Sequence, residues 1–145
     1  MRTIKDDAGR SYRLDIDIPA VRKLKAADVC RLDRLQPLDI QEILTDLITS
    51  TLLPMDMLWC LCQDDLLRNG CKSADDVEQF FGRETLFLAA AALGEEVLAF
   101  FQSRDRTGAI AGLSRMFRTA TVAVTDALKL RSLTTEKAEK LPESF

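Results

Sequence analysis

The side chains best suited to acid–base chemistry in this chain are three adjacent carboxylate pairs: Asp64–Asp65, Asp75–Asp76 and Glu95–Glu96. Two carboxylates act as general acid and base when they face each other across a cleft with their pKa values pushed apart. Neighbours on one helix diverge instead by about 100°. None of these pairs forms such a couple alone, and solvated helix faces account for them. The chain has no histidine, which removes the commonest general base and the commonest triads. It also lacks the G-x-x-x-x-G-K-S/T and G-x-G-x-x-G loops that hold phosphates and dinucleotides. Gly108-Ala109-Ile110-Ala111-Gly112 has neither a lysine nor a preceding strand, and it opens an amphipathic segment. The reading is a non-enzyme with no catalytic residues, no cofactor and no small-molecule substrate.

Cys30, Cys60, Cys62 and Cys71 raise metal and disulfide chemistry. Zinc needs four converging ligands, usually in paired C-x2–4-C knuckles. Cys60 and Cys62 lie two apart on a helical segment, so their side chains point roughly 200° apart. Behind Met1-Arg2-Thr3-Ile4-Lys5-Asp6-Asp7 there is no apolar stretch, so no secretory signal is expected. A cytoplasmic location follows, where thiols stay reduced. The cysteines read as small apolar fillers, and no metal site is expected. The longest apolar run, Leu86 to Leu93, is too short to cross a bilayer, so no membrane partner is expected either.

With surfaces rather than a reactive centre on offer, the elements that build those surfaces matter most. A chain of 145 residues with 47% hydrophobic content suits one domain with its own core. In Ser11–Ile18 the apolar Tyr12, Leu14, Ile16 and Ile18 alternate with Arg13, Asp15 and Asp17, the period of a strand with one buried face. Arg2–Lys5 precedes it across Asp6-Asp7-Ala8-Gly9-Arg10, whose glycine suits a hairpin turn. A lone hairpin is marginal in water, so its apolar face must lie on the helical body or on a partner. Pro19 starts a basic helix to about Asp28. Helical periodicity then runs over Leu38–Ser50, over Pro54–Arg68 closed by Asn69-Gly70, over Glu84–Phe101 and over Thr107–Arg131. Ser73 and Asp76 suggest a capping box before a short helix through Val77, Phe80 and Phe81 that ends near Gly82. The fold class is mainly α with an N-terminal β-hairpin (α+β), five to six helices in one small bundle. Residues 1–18 form the hairpin, 19–131 the helical body, and 132–145 a flexible polar tail.

Charge is uneven. Leu35 to Leu67 carries Asp39, Glu42, Asp46, Asp56, Asp64 and Asp65 with no Lys or Arg. Arg104 to Arg131 carries Arg104, Arg106, Arg115, Arg118, Lys129 and Arg131 against Asp105 and Asp126. Either the two segments pack on each other, or Arg115 and Arg118 belong to a docking face. The mild net charge of −3 argues against nucleic acid. The large apolar residues Trp59, Phe80, Phe81, Phe100 and Phe101 are core or partner-binding. Because consecutive helix residues point apart, at least one Phe of each pair is a candidate for contact with another chain. Tyr12 and Leu14 on the hairpin's apolar face join the same partner-binding set.

Four features, in order, resemble the small tail assembly chaperones of tailed bacteriophages and prophages. They are the hairpin with Asp7-Ala8-Gly9-Arg10 and Leu14-Asp15-Ile16; Val21-Arg22-Lys23-Leu24; Met57-Leu58-Trp59-Cys60-Leu61 leading to Gly70; and Val77-Glu78-Gln79-Phe80-Phe81-Gly82 before the helix closing on Phe100-Phe101. The resemblance covers about residues 2 to 102. It implies a non-enzymatic helper that binds a hydrophobic helical client, a tape measure-like protein, during tail assembly. A tail tube protein or a second copy of the chain is the other partner it brings in. Two alternatives stand beside it: a structural tail or neck subunit that uses the hairpin for strand pairing between subunits, and a small DNA-binding regulator.

Overall fold

The computed structural model describes residues 2–34, 36–104 and 108–139. Strands β1 (Arg2–Lys5) and β2 (Ser11–Leu14) form the expected antiparallel hairpin, with Arg2 opposite Leu14 and Lys5 opposite Ser11. Gly9 takes φ 80° in the turn, where any side chain would be strained. Alternation holds through Ile16: Ile4, Tyr12, Leu14 and Ile16 are buried while Thr3, Lys5, Ser11 and Arg13 face solvent. The expected end at Ile18 is corrected, since β2 stops at Leu14 and Ile18 is the exposed first residue of the helix that follows.

The first helix, α1 (Ile18–Ala26), starts one residue before Pro19 because Asp17 is its N-cap, its carboxylate accepting the Ala20 N–H at 2.9 Å. Asp28 (φ 56°) follows the helix in the left-handed position usually given to glycine. The Val29 N–H reaches back to Leu24 O at 2.9 Å and the Asp28 N–H to Lys25 O at 3.1 Å, the paired bonds of a Schellman end. Next comes α2 (Pro37–Thr49), close to its expected span.

The helix expected over Pro54–Arg68 is two helices, α3 (Leu52–Leu61) and α4 (Gln63–Arg68), broken at Cys62. The thiol of Cys62 donates to Arg13 O at 3.6 Å, so a tertiary contact with β2 sits at the break. At the end of α4 the Cys71 N–H returns to Leu66 O at 2.9 Å around Gly70 (φ 97°), as the Asn-Gly pair indicated. The Ser73–Asp76 capping box does not form. Asp76 accepts instead from the Lys72 N–H at 3.1 Å, and α5 (Val77–Phe80) has no side-chain cap; the shorter acid bonds the turn that precedes the helix.

Two long helices complete the chain, α6 (Arg83–Gln102) and α7 (Ala109–Glu139). The expected start of the last helix at Thr107 lies outside the described residues. Its end at Arg131 is corrected, since helical backbone continues to Glu139. The rest of the polar tail, residues 140–145, lies outside the described residues. Seven helices are therefore seen among the described residues, against the five to six expected.

Helix α6 is the centre of the fold. It packs on α2, α3, α7 and both strands, so Leu86, Ala89, Leu93, Val97, Leu98 and Phe101 are buried around much of its circumference. Against α7 the approach is close enough that the Phe117 ring occupies the space a side chain at Gly94 would need. No single helix among the described residues is long and apolar enough to cross a membrane; α2 and α3 together reach that composition but meet at 103°.

Candidate protein-binding surfaces

The turn of the hairpin, the most polar part of the family resemblance, is bonded into the body. Asp6 is buried. One carboxylate oxygen, Oδ1, accepts the backbone N–H groups of Ala8 at 3.0 Å and Arg10 at 2.9 Å. The other accepts Arg10 Nε at 2.8 Å and the Tyr12 hydroxyl at 2.9 Å. The Asn69 amide, at the end of α4, donates in turn to the Tyr12 hydroxyl at 2.9 Å. Burial pushes the Asp6 carboxyl up. The donors from Arg10 and Tyr12 outweigh it and hold the group below the ordinary carboxylate value. Burial, and then the bond to Asp6, raises the Tyr12 phenol.

Asp7 makes the second half of this clasp. Its N–H donates to Phe80 O at 2.9 Å, and its carboxylate accepts the Gly82 N–H at 2.8 Å and the Thr85 hydroxyl. Asp7 thus caps α6 from a distant part of the chain. The carboxylate lies close enough that a Cβ at Gly82 would come within 2.9 Å of it.

Each residue of the expected partner-binding set has a definite place. Tyr12 and Leu14 are fully buried against the helical body, which settles what the hairpin's apolar face lies on. Phe81 packs on Tyr12 with ring centroids 5.6 Å apart. Phe80 is half-buried beneath the Arg10 guanidinium, 4.7 Å from the ring centroid. Phe100 and Phe101 are both buried and meet edge to face at 5.5 Å. For that pair, the expectation that one member faces outward is corrected. Because α6 has neighbours on several sides, residues 100° apart both find core, and the Arg104 guanidinium closes over Phe100 at 3.9 Å. Trp59 is half-buried on the core. Arg115 and Arg118 are exposed on α7, and Arg118 pairs with Glu95 of α6 at 3.3 Å rather than with the acidic segment 36–67.

Among the cysteines, Cys62 and Cys71 are buried, while Cys30 and Cys60 pack half-buried against the core. Burial pushes the Cys30 and Cys62 thiols up to about 12, so both stay protonated and unreactive near neutrality. No group of three or more His, Cys, Asp or Glu side chains converges among the described residues.

The surface feature that sequence periodicity did not indicate is an open groove of about 630 Å³. It lies where the C-terminal end of α2 and the start of α3 diverge from α6 and α7. Leu47, Ile48, Pro54, Leu86, Phe87 and Val124 supply its apolar lining; Arg83 and Glu84 lie at the α6 end, and Thr49, Ser50 and Thr51 at the bend between α2 and α3. The sequence signal was faint: a short polar break, Ser50-Thr51, between two apolar helices. Compared with protein-family models, with curated proteins and with solved structures, the chain matches none.

Proposed function

We propose that this protein is a non-enzymatic assembly helper of the phage or prophage tail chaperone type. It acts in the host cytoplasm and holds a hydrophobic helical client, a tape measure-like protein, until the tail forms. The observation that carries the reading is the open apolar groove between α2, α3, α6 and α7. An amphipathic helix docks in such a groove through anchors at i, i+3 or i+4, and i+7. The order of the apolar segments that resemble the chaperone family supports the same reading.

Co-expression with a long, helix-rich tape measure-like protein is the test. The client is expected in the soluble fraction with the wild-type chain and in the pellet without it. Val124→Asp and Ile48→Asp, both at the groove, are expected to return the client to the pellet while circular dichroism of the helper is unchanged. A client equally soluble in all four cases rejects the proposal.

A further inference from the structure

The two edges of the hairpin differ, and the difference points to a second docking surface, independent of the groove. The Asp6 N–H donates to Arg10 O at 3.0 Å. By the alternation of an antiparallel ladder, the opposed pairs Arg2–Leu14 and Ile4–Tyr12 exchange the inter-strand bonds. The N–H and C=O groups of Thr3 and Lys5 on β1, and of Ser11 and Arg13 on β2, therefore point away from the partner strand. On β2 the Arg13 carbonyl is taken by the Cys62 thiol, while the Ser11 groups and the Arg13 N–H have no hydrogen-bond partner among the described residues. On β1 the next outward donor, the Asp7 N–H, is taken by Phe80 O, but Thr3 and Lys5 have no hydrogen-bond partner among the described residues.

We infer that the β1 edge takes an extended partner segment as a third strand, one alternating acidic and apolar side chains. Charge supplies the acidic half: Thr3, Lys5, Ser11 and Arg13 form the exposed face of the hairpin, and neither cation has an ion-pair partner among the described residues. The apolar half follows from α6. Thr85 bonds Asp7 at one end of β1 and Glu95 bonds Arg2 at the other. Leu88, between them on α6, is 52% exposed and offers a seat for an inward-facing side chain. A second copy fits less well, because antiparallel pairing of two β1 edges sets the two Lys5 side chains diagonally on one face.

The test uses the full chain and a short capped peptide alternating glutamate and valine, followed by amide NMR. Shifts and slowed exchange are expected at the Thr3 and Lys5 amides. N-methylation of alternate peptide amides should abolish binding, and Lys5→Glu should weaken it about fivefold, the scale of an exposed ion pair. Thr3→Pro removes an outward donor that the hairpin does not use and should also abolish binding. If that variant does not fold, the methylated peptide carries the same test. Equal binding of a lysine–valine peptide overturns the inference. So does binding that survives N-methylation, and so does a wild-type dimer whose contacts map to Thr3 and Lys5, which would make the occupant a second copy.

Discussion

Two regions of this molecule use their side chains in opposite ways. At the hairpin turn, nearly every polar group that reads as available for recognition is used internally. Asp6, Arg10, Tyr12 and Asn69 satisfy one another, and Asp7 caps α6. At the groove, apolar side chains from four helices converge without closing, and no hydrogen bond between side chains of its lining residues ties the walls together. Polar residues in a tight turn are therefore poor markers of a binding site when a buried core lies beneath them. A gap in apolar packing is the better marker, since water there has little to bond.

The sharpest way to break this contrast is to remove the buried carboxylate. Asp6→Ala is expected to cost about 3 kcal/mol, the scale for a buried polar group whose partners are left unpaired. It strands the Tyr12 hydroxyl, the Arg10 guanidinium and two backbone N–H groups. Chemical denaturation measures the loss, and the molecule's single tyrosine and single tryptophan localise it. The near-ultraviolet signal of Tyr12 should change more than the fluorescence of Trp59. Acid should act on the same group. The folded pKa of Asp6 lies below its ordinary value of 3.8. Its contribution is therefore fully present above about pH 4 and is lost as pH falls through the folded value. Asp6→Ala should flatten the acid limb of the stability–pH curve, and an unchanged limb would assign acid sensitivity elsewhere.

On the helical side the corresponding break is Gly94→Ala. Alanine is the better helix former by about 1 kcal/mol, so propensity alone predicts a gain. The Phe117 ring fills the space of the new methyl, and overpacking of this kind costs about 2 kcal/mol. A net loss in thermal unfolding isolates the seam between α6 and α7; a gain would show that the ring moves aside freely. A smaller effect is expected for Asp7→Ala, about 1 kcal/mol for a lost cap. It should be local, with faster exchange of the Gly82 amide and little change at α7.

How much of this was readable beforehand follows the same division. Alternation in Ser11–Ile18 and the flanking prolines located the hairpin and most helices, because burial of one face imposes its period directly. Asp6 falls in phase with Ile4 on the inward side of β1, and that parity was the one available sign of a buried carboxylate. The break at Cys62 had no local sign, since nothing in Leu61-Cys62-Gln63 disfavours a helix; it coincides with a bond to Arg13, far away in sequence. The inward fate of both Phe100 and Phe101 was likewise a property of α6 being surrounded. The groove was least readable of all, because it is defined by where four helices fail to meet.

The smallest expected effect on stability is the most informative about function. Val124 is 37% exposed at the groove, so Val124→Asp removes little buried surface and should change folding stability by no more than about 0.5 kcal/mol. An aspartate there places a charge against Leu47, Ile48 and Phe87, where an apolar client would have to strip its water. Stability and client solubility should therefore separate: an unfolding curve overlaying that of the wild type, together with loss of the soluble client. Asp6→Ala should show the reverse order of effects at moderate temperature, a weakened fold whose remaining folded fraction still holds client. If both variants lose client in proportion to lost stability, the groove is a packing defect and the contrast between the two regions has no functional meaning.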